Sequence, residues 1–400
     1  MERKNAWEKY PEGEKRELVY RFAEDYRRFL SECKTERECV TVFEEEAKKA
    51  GFVKLEEMIE AGTALKAGDK VYANNMGKGL ALFVIGSKDL SCGMNILGAH
   101  IDSPRIDLKQ DPLYEDSELA MLDTHYYGGI KKYQWVTLPL ALHGVIAKKD
   151  GTLVQVNVGD KPGDPVFGIS DLLVHLSAEQ MEKKAAKVIE GENLDLLVGS
   201  IPLTEEAADE KAAKEKVKAN IMKLLVKEYG IEEEDFLSAE IEVVPAGEAR
   251  DYGFDRSMIM GYGHDDRVCA YPSFRAMLMM EKPERTSVCL LVDKEEIGSV
   301  GASGMLRRAL KNSSVLSSDV SAAFDPNYPS VMTKRNTAYF GKGLVFNKYT
   351  GSRGKAGSND ANAEYVGGLR AIMDANEIAF QTAELGKVDQ GGGGTIAYIL

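Results

Sequence analysis

The chain has 400 residues, of which 44% are hydrophobic and 29% are charged, so it is not a disordered protein. At about 150 residues per domain, this length predicts two to three domains. Asp and Glu outnumber Lys and Arg by 64 to 51, which gives a net charge of −13. Because no basic tract accompanies that charge, the sequence argues against nucleic-acid binding.

The compartment follows from what the chain lacks. Its N-terminus has no apolar stretch of the kind found in secretory signals, and its longest apolar runs are far shorter than a membrane span. The five cysteines are scattered and show no CxxC spacing, which indicates free thiols in a reducing environment. We therefore predict a cytoplasmic protein that does not interact with membranes.

Helix and strand patterns succeed one another along the chain. Residues 14–50 are predicted to be helical because apolar side chains recur at every fourth position from Leu18 to Leu30. Short buried strands are predicted next, at residues 70–72, 79–86 and 94–97. Strands at 137–147 and 152–158 and a charged helix at 204–229 follow, with Gly230 as the helix stop. That helix is either a solvated surface element or an inter-subunit helix.

From residue 241 onward, strands and helices alternate. A helix is predicted at 268–280, a strand at 286–292, a short helix at 301–310 and a strand at 321–324. This alternation predicts an α/β fold with a mostly parallel central sheet flanked by helices. The β-rich middle of the chain is then an insertion, which gives a discontinuous domain at 1–103 and 250–400 and an inserted domain at 104–249.

The first candidate for chemistry is GAHIDSP at residues 98–104, directly after a predicted buried strand. Ligands of open α/β sheets gather at such strand ends. His100 and Asp102 are two positions apart and project to the same side of an extended chain. A histidine metal ligand oriented by an acid has this pattern, whereas the alternative is a histidine that caps a loop.

Three acidic segments also lie at predicted strand or helix ends. Asp265 and Asp266 precede the helix at 268–280, where the alternative is simple helix capping. Glu295 and Glu296 follow the strand at 286–292, where the alternative is a solvated loop. Asp319, in SSDV at 317–320, borders the predicted strand at 321–324.

Together these side chains are typical of a metal site. One histidine with carboxylates suits zinc, manganese or cobalt, and a carboxylate that bridges two ions would create a two-metal hydrolytic site. In such a site a spare glutamate can move a proton from water to a leaving amine.

In this order, the segments resemble the M18 family of metallo-aminopeptidases, the aspartyl aminopeptidase group, and specifically its bacterial branch. The resemblance covers most of residues 15–400 and is specific as an ordered set. The matching segments are GAHIDSP at 98–104, FGISDLLVHL at 167–176, GHDDR at 263–267, DKEEIGS at 293–299, SSDVSAAFDPNY at 317–328 and GGGTI at 392–396.

The resemblance implies a role for each site residue. His100 corresponds to a zinc ligand, Asp102 to the acid that orients it, Asp265 to the bridging carboxylate, Glu295 to the catalytic base, Glu296 to a zinc ligand, Asp319 to a ligand of the other metal, and His175 to a histidine that enters a neighbouring subunit's active site. Adjacent Asp266 leaves a one-residue ambiguity at the bridging position.

The resemblance also implies what the protein does and how it assembles. We expect a zinc-dependent aminopeptidase, with two zinc ions per subunit or manganese or cobalt in their place, that removes N-terminal residues from peptides. The inserted domain would mediate dimerisation, and the subunits would form a tetrahedral dodecamer. A related tetrahedral aminopeptidase of the M42 type is the alternative within the enzyme class, but the charged insertion and the block at 317–328 favour M18.

One feature departs from the family pattern. The family has a further histidine ligand beyond the Gly-rich segment, whereas none of the five histidines here follows His264. The expectation is a chain that lacks the C-terminal segment of the catalytic domain. This leaves an alternative function, a truncated, non-catalytic assembly subunit that keeps the fold without a complete metal site.

Two further segments bear on ligand binding. The glycines at 391–394 are not followed by the Lys-Ser/Thr pair of a phosphate-binding loop, so we predict a turn there. The basic side chains Lys348, Arg353 and Lys355 suggest, on charge complementarity alone, a preference for peptides with an acidic N-terminal residue.

Overall fold

A computed structural model of the chain describes residues 4–204, 214–298, 313–347 and 363–387. The predicted helix at 301–310, the basic residues at 348–355 and the Gly-rich segment at 391–396 lie outside the described residues. The described residues fall into two compact units. The first comprises the described residues within 1–29, 39–102 and 264–400, and the second comprises those within 30–38 and 103–263.

The described part of the chain contains helices in the predicted segments 14–50, 204–229 and 268–280, and further helices elsewhere. They are α1 (Glu14–Glu32), α2 (Glu36–Lys49), α3 (Leu55–Glu60), α4 (Lys132–Trp135), α5 (Ala178–Met181), α6 (Ala185–Val188), α7 (Lys216–Tyr229), α8 (His264–Met279) and α9 (Ala363–Ala375). Short 3-10 turns lie at Ala6–Lys9, Leu90–Cys92, Gly191–Asn193, Glu233–Ser238 and Pro329–Val331. None of the described helices is both long enough and apolar enough to cross a bilayer.

The strands are numbered in chain order. They are β1 (Val53–Lys54), β2 (Lys70–Asn75), β3 (Gly79–Val84), β4 (Asn95–His100), β5 (Arg105–Asp116), β6 (Leu119–Tyr127), β7 (Leu140–Ala147), β8 (Leu153–Val158), β9 (Gly168–Ile169), β10 (Leu196–Gly199), β11 (Ala239–Pro245), β12 (Arg250–Tyr252), β13 (Met258–Met260), β14 (Ser287–Val292), β15 (Ser314–Ser317), β16 (Leu344–Asn347) and β17 (Phe380–Ala383).

The first unit is built on a mixed sheet in the order β1-β2-β3-β14-β4-β15. The pairs β1–β2, β14–β4 and β4–β15 are parallel, while the β2–β3 hairpin and the β3–β14 pair are antiparallel. Strand β14 has an almost continuous apolar sequence and is largely buried, as expected of a central strand. Helix α8 packs against β4 and β14. Its aromatic side chains Tyr271 and Phe274 pack against Phe29 and Phe43 in the core of this unit.

The second unit is built on an antiparallel sheet in the order β8-β7-β11-β5-β6-β10-β9. Its core includes Ile106, Leu140 and Val243, and α7 contributes Val217 to it. Helix α7 is therefore amphipathic, with one face buried in this unit, and it ends at Gly230, whose φ of 65° is favourable for glycine. Residue 204 itself is not helical, and residues 205–213 lie outside the described residues.

A buried charged network also lies within the second unit. His143 is fully buried and hydrogen-bonds Glu38 through Nδ1 and Asp160 through Nε2, both at 2.8 Å. Lys34 is also buried and donates to Asp160 and to the carbonyl of Pro245, both at 2.7 Å. Burial lowers the pKa of His143, but the two carboxylates outweigh burial and raise it above its ordinary value.

These sheets and helices confirm the prediction of a mixed α/β fold. The predicted strand at 321–324 is wrong, since among the described residues this segment forms only a single bridge, between Ala323 and Ala338. The strand beside Asp319 instead precedes it, as β15, which pairs with β4. Both short segments are apolar and small, and only pairing with a distant strand distinguishes them.

Candidate metal centre

Three strand ends bring the candidate side chains to one edge of the first sheet. Strands β14, β4 and β15 are parallel neighbours, with Val292 opposite His100 and Ser317 opposite Gly98. Because parallel strands end at the same edge of a sheet, the residues that follow them meet there. His100 closes β4, the pair Glu295 and Glu296 follows β14, and Asp319 follows β15.

The fourth contribution comes from the start of α8. Asp265 and Asp266 have non-helical backbone angles, so the regular helix begins after them. The carboxylate of Asp265 faces His100, with 3.2 Å between Oδ1 and the Nε2 atom of the imidazole. Asp266 is fully buried, and burial raises the pKa of its carboxyl to about 8. The geometry thus distinguishes the two neighbouring acids.

The side chains of His100, Asp265 and Asp319 form a compact group that we call the His100 cluster. Each offers one ligand atom, and these atoms lie within 4.8 Å of one another. His100 Nε2 is 4.0 Å from Asp319 Oδ1, and Glu295 Oε2 lies 3.8 Å from the same nitrogen. One imidazole nitrogen is therefore surrounded by three carboxylates from three segments of the chain.

Asp102 holds two parts of the site together. Its carboxylate is fully buried and accepts the backbone N–H of Glu295 on Oδ1 at 3.3 Å and that of Glu296 on Oδ2 at 3.2 Å. Its backbone carbonyl lies 3.0 Å from His100 Nδ1, and its Oδ1 lies 3.3 Å from the same atom. These acceptors favour a proton on Nδ1, which leaves Nε2 free to bind a metal.

The turn that carries the two glutamates has an unusual backbone. Lys294, immediately before Glu295, has a φ of 73°, a conformation that non-glycine residues seldom adopt. Beside it, Asp293 forms ion pairs with Lys294, at 3.3 Å, and with Lys78 of the β2–β3 turn, at 3.8 Å. The backbone therefore leaves the extended conformation shortly after β14, and Asp102 accepts hydrogen bonds from the two amides that follow Lys294.

The site contains more carboxylates than positively charged groups, and this affects their pKa values. Burial, followed by repulsion from Asp265, raises the pKa of Glu296 to about 8. Burial also raises the pKa of Asp319 to about 6. Burial lowers the pKa of His100, but hydrogen bonding to Asp102 and Asp265 outweighs it and raises the value to about 11. Crowded, partly desolvated carboxylates of this kind are favourable for a bound cation.

The donor set fits a divalent transition metal. An imidazole nitrogen with several carboxylate oxygens suits zinc, manganese or cobalt. The buried Oε1 atom of Glu296 has no hydrogen-bond partner among the described residues, as expected of an oxygen whose partner is a metal ion. The residues present therefore fit the kind of ion that the sequence predicts.

One predicted site residue lies outside the first unit, and one residue beside the site was not predicted. His175 belongs to the second unit and is exposed there. Sequence reasoning missed Arg267, which is buried beside the site, because an arginine is ordinarily a surface residue.

The family model described as "Aminopeptidase I zinc metalloprotease (M18)" matches residues 29–311 and 305–400. The chain belongs to the M18 family. A curated relative from Clostridium acetobutylicum, named "Probable M18 family aminopeptidase 1", is 62% identical over 422 residues, which span 100% of this chain and 90% of the relative. A relative of the same name from Thermotoga maritima is 45% identical over 421 residues, covering 99% of this chain and 89% of the relative.

Solved structures lead to the same conclusion. Aminopeptidase I from Clostridium acetobutylicum has a TM-score of 0.91 at 61% identity, covering 100% of this chain and 90% of its own. The M18 aminopeptidase from Thermotoga maritima has a TM-score of 0.90 at 45% identity, covering 99% and 90%. The S. cerevisiae mApe1 dodecamer has a TM-score of 0.69 at 19% identity, covering 91% and 85%, and shows the fold alone.

These comparisons confirm two predictions from the sequence, the M18 family and a metal-dependent aminopeptidase. They favour the enzyme over the alternative of a non-catalytic assembly subunit. The individual roles of the site residues, the domain bounds and the number of metal ions stay predictions.

Proposed function

We propose that this M18 aminopeptidase removes N-terminal residues from peptides with two divalent metal ions held by His100, Asp265, Glu296 and Asp319. Zinc is the expected ion, with manganese and cobalt as substitutes. The observation that carries the proposal is that the carboxylates of Asp265 and Asp319 lie close to the Nε2 atom of His100. The carboxylate of Glu295 lies 3.8 Å from the same nitrogen.

The ligands divide into two groups around Asp265. His100 and Asp319 contribute to the His100 cluster, together with one oxygen of Asp265. After burial, repulsion from Asp265 is the largest influence on the pKa of Glu296. Asp265 belongs to the cluster and also raises the pKa of Glu296, so we assign it the role of the bridging carboxylate.

The chain's own groups suit peptide hydrolysis. When bound, the metal ions polarise the substrate carbonyl and lower the pKa of water. Glu295 lies beside the cluster, and we assign it the role of general base, which takes the proton from the attacking water and returns it to the leaving amine. Asp102 orients His100 and holds the amides of both glutamates, so it keeps the base and one metal ligand in register.

The inserted region is proposed to mediate self-association. We assign residues 1–103 and 250–400 to the catalytic domain and residues 104–249 to a dimerisation domain. Around His175 the neighbouring side chains Leu172, Leu173, Val174 and Leu176 are all more than half exposed. Consecutive exposed apolar side chains are unusual on a monomer and indicate a binding surface. We propose that this segment contacts a second subunit, delivers His175 to its active site, and supports a dodecamer.

Specificity is proposed from charge alone. Lys348, Arg353 and Lys355 are clustered in the sequence, and basic side chains near the substrate would favour an acidic N-terminal residue. With a cytoplasmic location, the substrates would be short intracellular peptides.

The test is an assay of the purified protein on peptides that begin with Asp, Glu, Leu or Ala. Activity should disappear after chelation and return with zinc, manganese or cobalt. Glu295→Gln should keep near-normal metal content and lose turnover by about 10²- to 10⁴-fold, whereas Glu296→Gln should lose metal. Metal loss in Glu295→Gln with full metal in Glu296→Gln would reverse the two assignments. Equal rates on all four peptides would refute the acidic preference.

A further inference from the structure

One buried side chain joins two of the segments that form the site. Arg267 is 1% exposed and lies two residues after Asp265. Its Nε and Nη2 atoms both lie 3.3 Å from the backbone carbonyl oxygen of Ile101. Ile101 is the residue between His100 and Asp102, so the guanidinium is hydrogen-bonded to the backbone that links these two site residues.

The other side of Ile101 is also tied to the site. Its N–H donates to the carbonyl of Val292 at 2.9 Å, at the end of β14, from which the turn with Glu295 departs. The backbone of this one residue therefore connects β4, β14 and the start of α8. Any rotation of the Ile101 peptide group would displace His100 and Asp102 directly, since both are its covalent neighbours.

We infer that Arg267 is a positioning residue for the metal centre, acting through the carbonyl of Ile101. The inference rests on the proposed function, because it assumes that His100 and Asp265 bind the same ion. The planar fork of a guanidinium can place two N–H groups on one oxygen, which a lysine ammonium does not do with fixed geometry. Burying a guanidinium costs desolvation free energy, so an apolar side chain in the same space would be expected if packing were its only role.

This role predicts a defect in metal binding that is separable from folding. Arg267→Met keeps most of the side-chain volume and removes the two hydrogen bonds to the Ile101 carbonyl, while Arg267→Lys keeps the charge and removes the planar guanidinium. Loss of a group that orients metal ligands typically lowers metal affinity or activity about 10- to 100-fold. We expect a loss of this size in zinc affinity for Arg267→Met, a smaller loss for Arg267→Lys, and, at saturating zinc, a lower kcat with little change in KM.

The control is Arg275→Met. Arg275 lies on the same helix, is partly exposed, and pairs with Glu46 at 3.1 Å. It should bind zinc and turn over peptide as the wild type does.

The experiment titrates each purified full-length variant with zinc in competition with a chelating dye, alongside thermal unfolding and steady-state kinetics. Folded Arg267→Met and Arg267→Lys with wild-type zinc affinity and kcat would overturn the inference. Failure of both variants to fold would overturn it as well, because Arg267 would then serve the core. Unchanged zinc affinity in His100→Ala would overturn the proposed function, and this inference with it, whereas unchanged affinity in the Arg267 variants alone would overturn only the inference.

Discussion

Asp102→Asn removes a charge and one acceptor atom while leaving the shape of the side chain almost unchanged. In the structure the two carboxylate oxygens accept different donors, the N–H of Glu295 on one and the N–H of Glu296 on the other. An asparagine offers one oxygen and one NH2 group. Whichever way the amide turns, one backbone N–H faces another donor, and one of the two glutamates loses its anchor.

The size of the effect follows from that lost acceptor. A buried donor left without a partner costs about 1–3 kcal/mol, and about 1.4 kcal/mol corresponds to a factor of ten in rate. Both hydrogen bonds are long, at 3.3 and 3.2 Å, so the cost should fall in the lower half of that range. We expect kcat/KM to fall about tenfold, well short of the loss expected for Glu295→Gln.

Metal content should respond less than turnover in Asp102→Asn. The backbone carbonyl of Asp102 is the nearest acceptor to His100 Nδ1, at 3.0 Å, and the substitution does not remove it. His100 should therefore keep the tautomer that exposes Nε2.

The assay measures kcat, KM and bound zinc at saturating metal for the wild type, Asp102→Asn and a control, Asp69→Asn. Asp69 accepts a backbone N–H from Lys66 in an exposed turn, so its substitution should leave all three quantities unchanged. Wild-type kcat in Asp102→Asn would refute the proposed hold on the glutamates. Proportional loss of zinc and kcat would show instead that Asp102 acts through His100 alone.

Three further predictions concern other parts of the chain. His175→Ala should be inactive if subunits share sites, and mixing it with Glu295→Gln should restore partial activity; no recovery at any mixing ratio would contradict a shared site. The pKa of His143 is higher in the folded protein than in the unfolded chain, where it is about 6.5. Its bonds to two carboxylates therefore stabilise the fold fully at a pH below the unfolded pKa, and this stabilisation is lost as the pH rises through the folded pKa. The difference in Tm between wild type and His143→Gln should therefore shrink as pH increases from about 6.5. A constant difference would refute the claim that His143 is protonated in the folded protein. Lys294→Gly should retain kcat because glycine tolerates the φ of 73°, whereas Lys294→Val should lower it; equal kcat values would show that this backbone conformation is not needed.

Much of the site could be predicted because its residues are local to strand ends. His100 and the Glu295–Glu296 pair directly follow buried apolar runs, and a run of that kind is legible in one sequence. The sequence predicts a strand at 321–324 beside Asp319, whereas the strand lies at 314–317, since both segments are short and apolar. Pairing with β4, more than 200 residues earlier in the chain, decides between them.

Strand direction and burial of polar groups could not be predicted in the same way. The alternation of strands and helices predicts a mostly parallel sheet, yet the β2–β3 and β3–β14 pairs in it are antiparallel. Periodicity reports which face of a strand is buried, not which way its neighbour runs. The burial of Arg267 depends on a carbonyl 166 residues away, and that of His143 on carboxylates contributed by two separate segments.

The arrangement of charge explains why the centre needs its orienting groups. Carboxylates from three segments face one imidazole, and burial together with mutual repulsion raises the pKa values of Glu296 and Asp319. Without restraint such groups would separate and become hydrated. Asp102 opposes this by accepting hydrogen bonds from the backbone after β14, and Arg267 opposes it by donating to the backbone carbonyl after β4. Neither restraint uses a metal-ligand atom. Because both act on the backbone, the carboxylate oxygens themselves remain available to a cation, which is the condition for a site that binds metal and still has a spare glutamate for proton transfer.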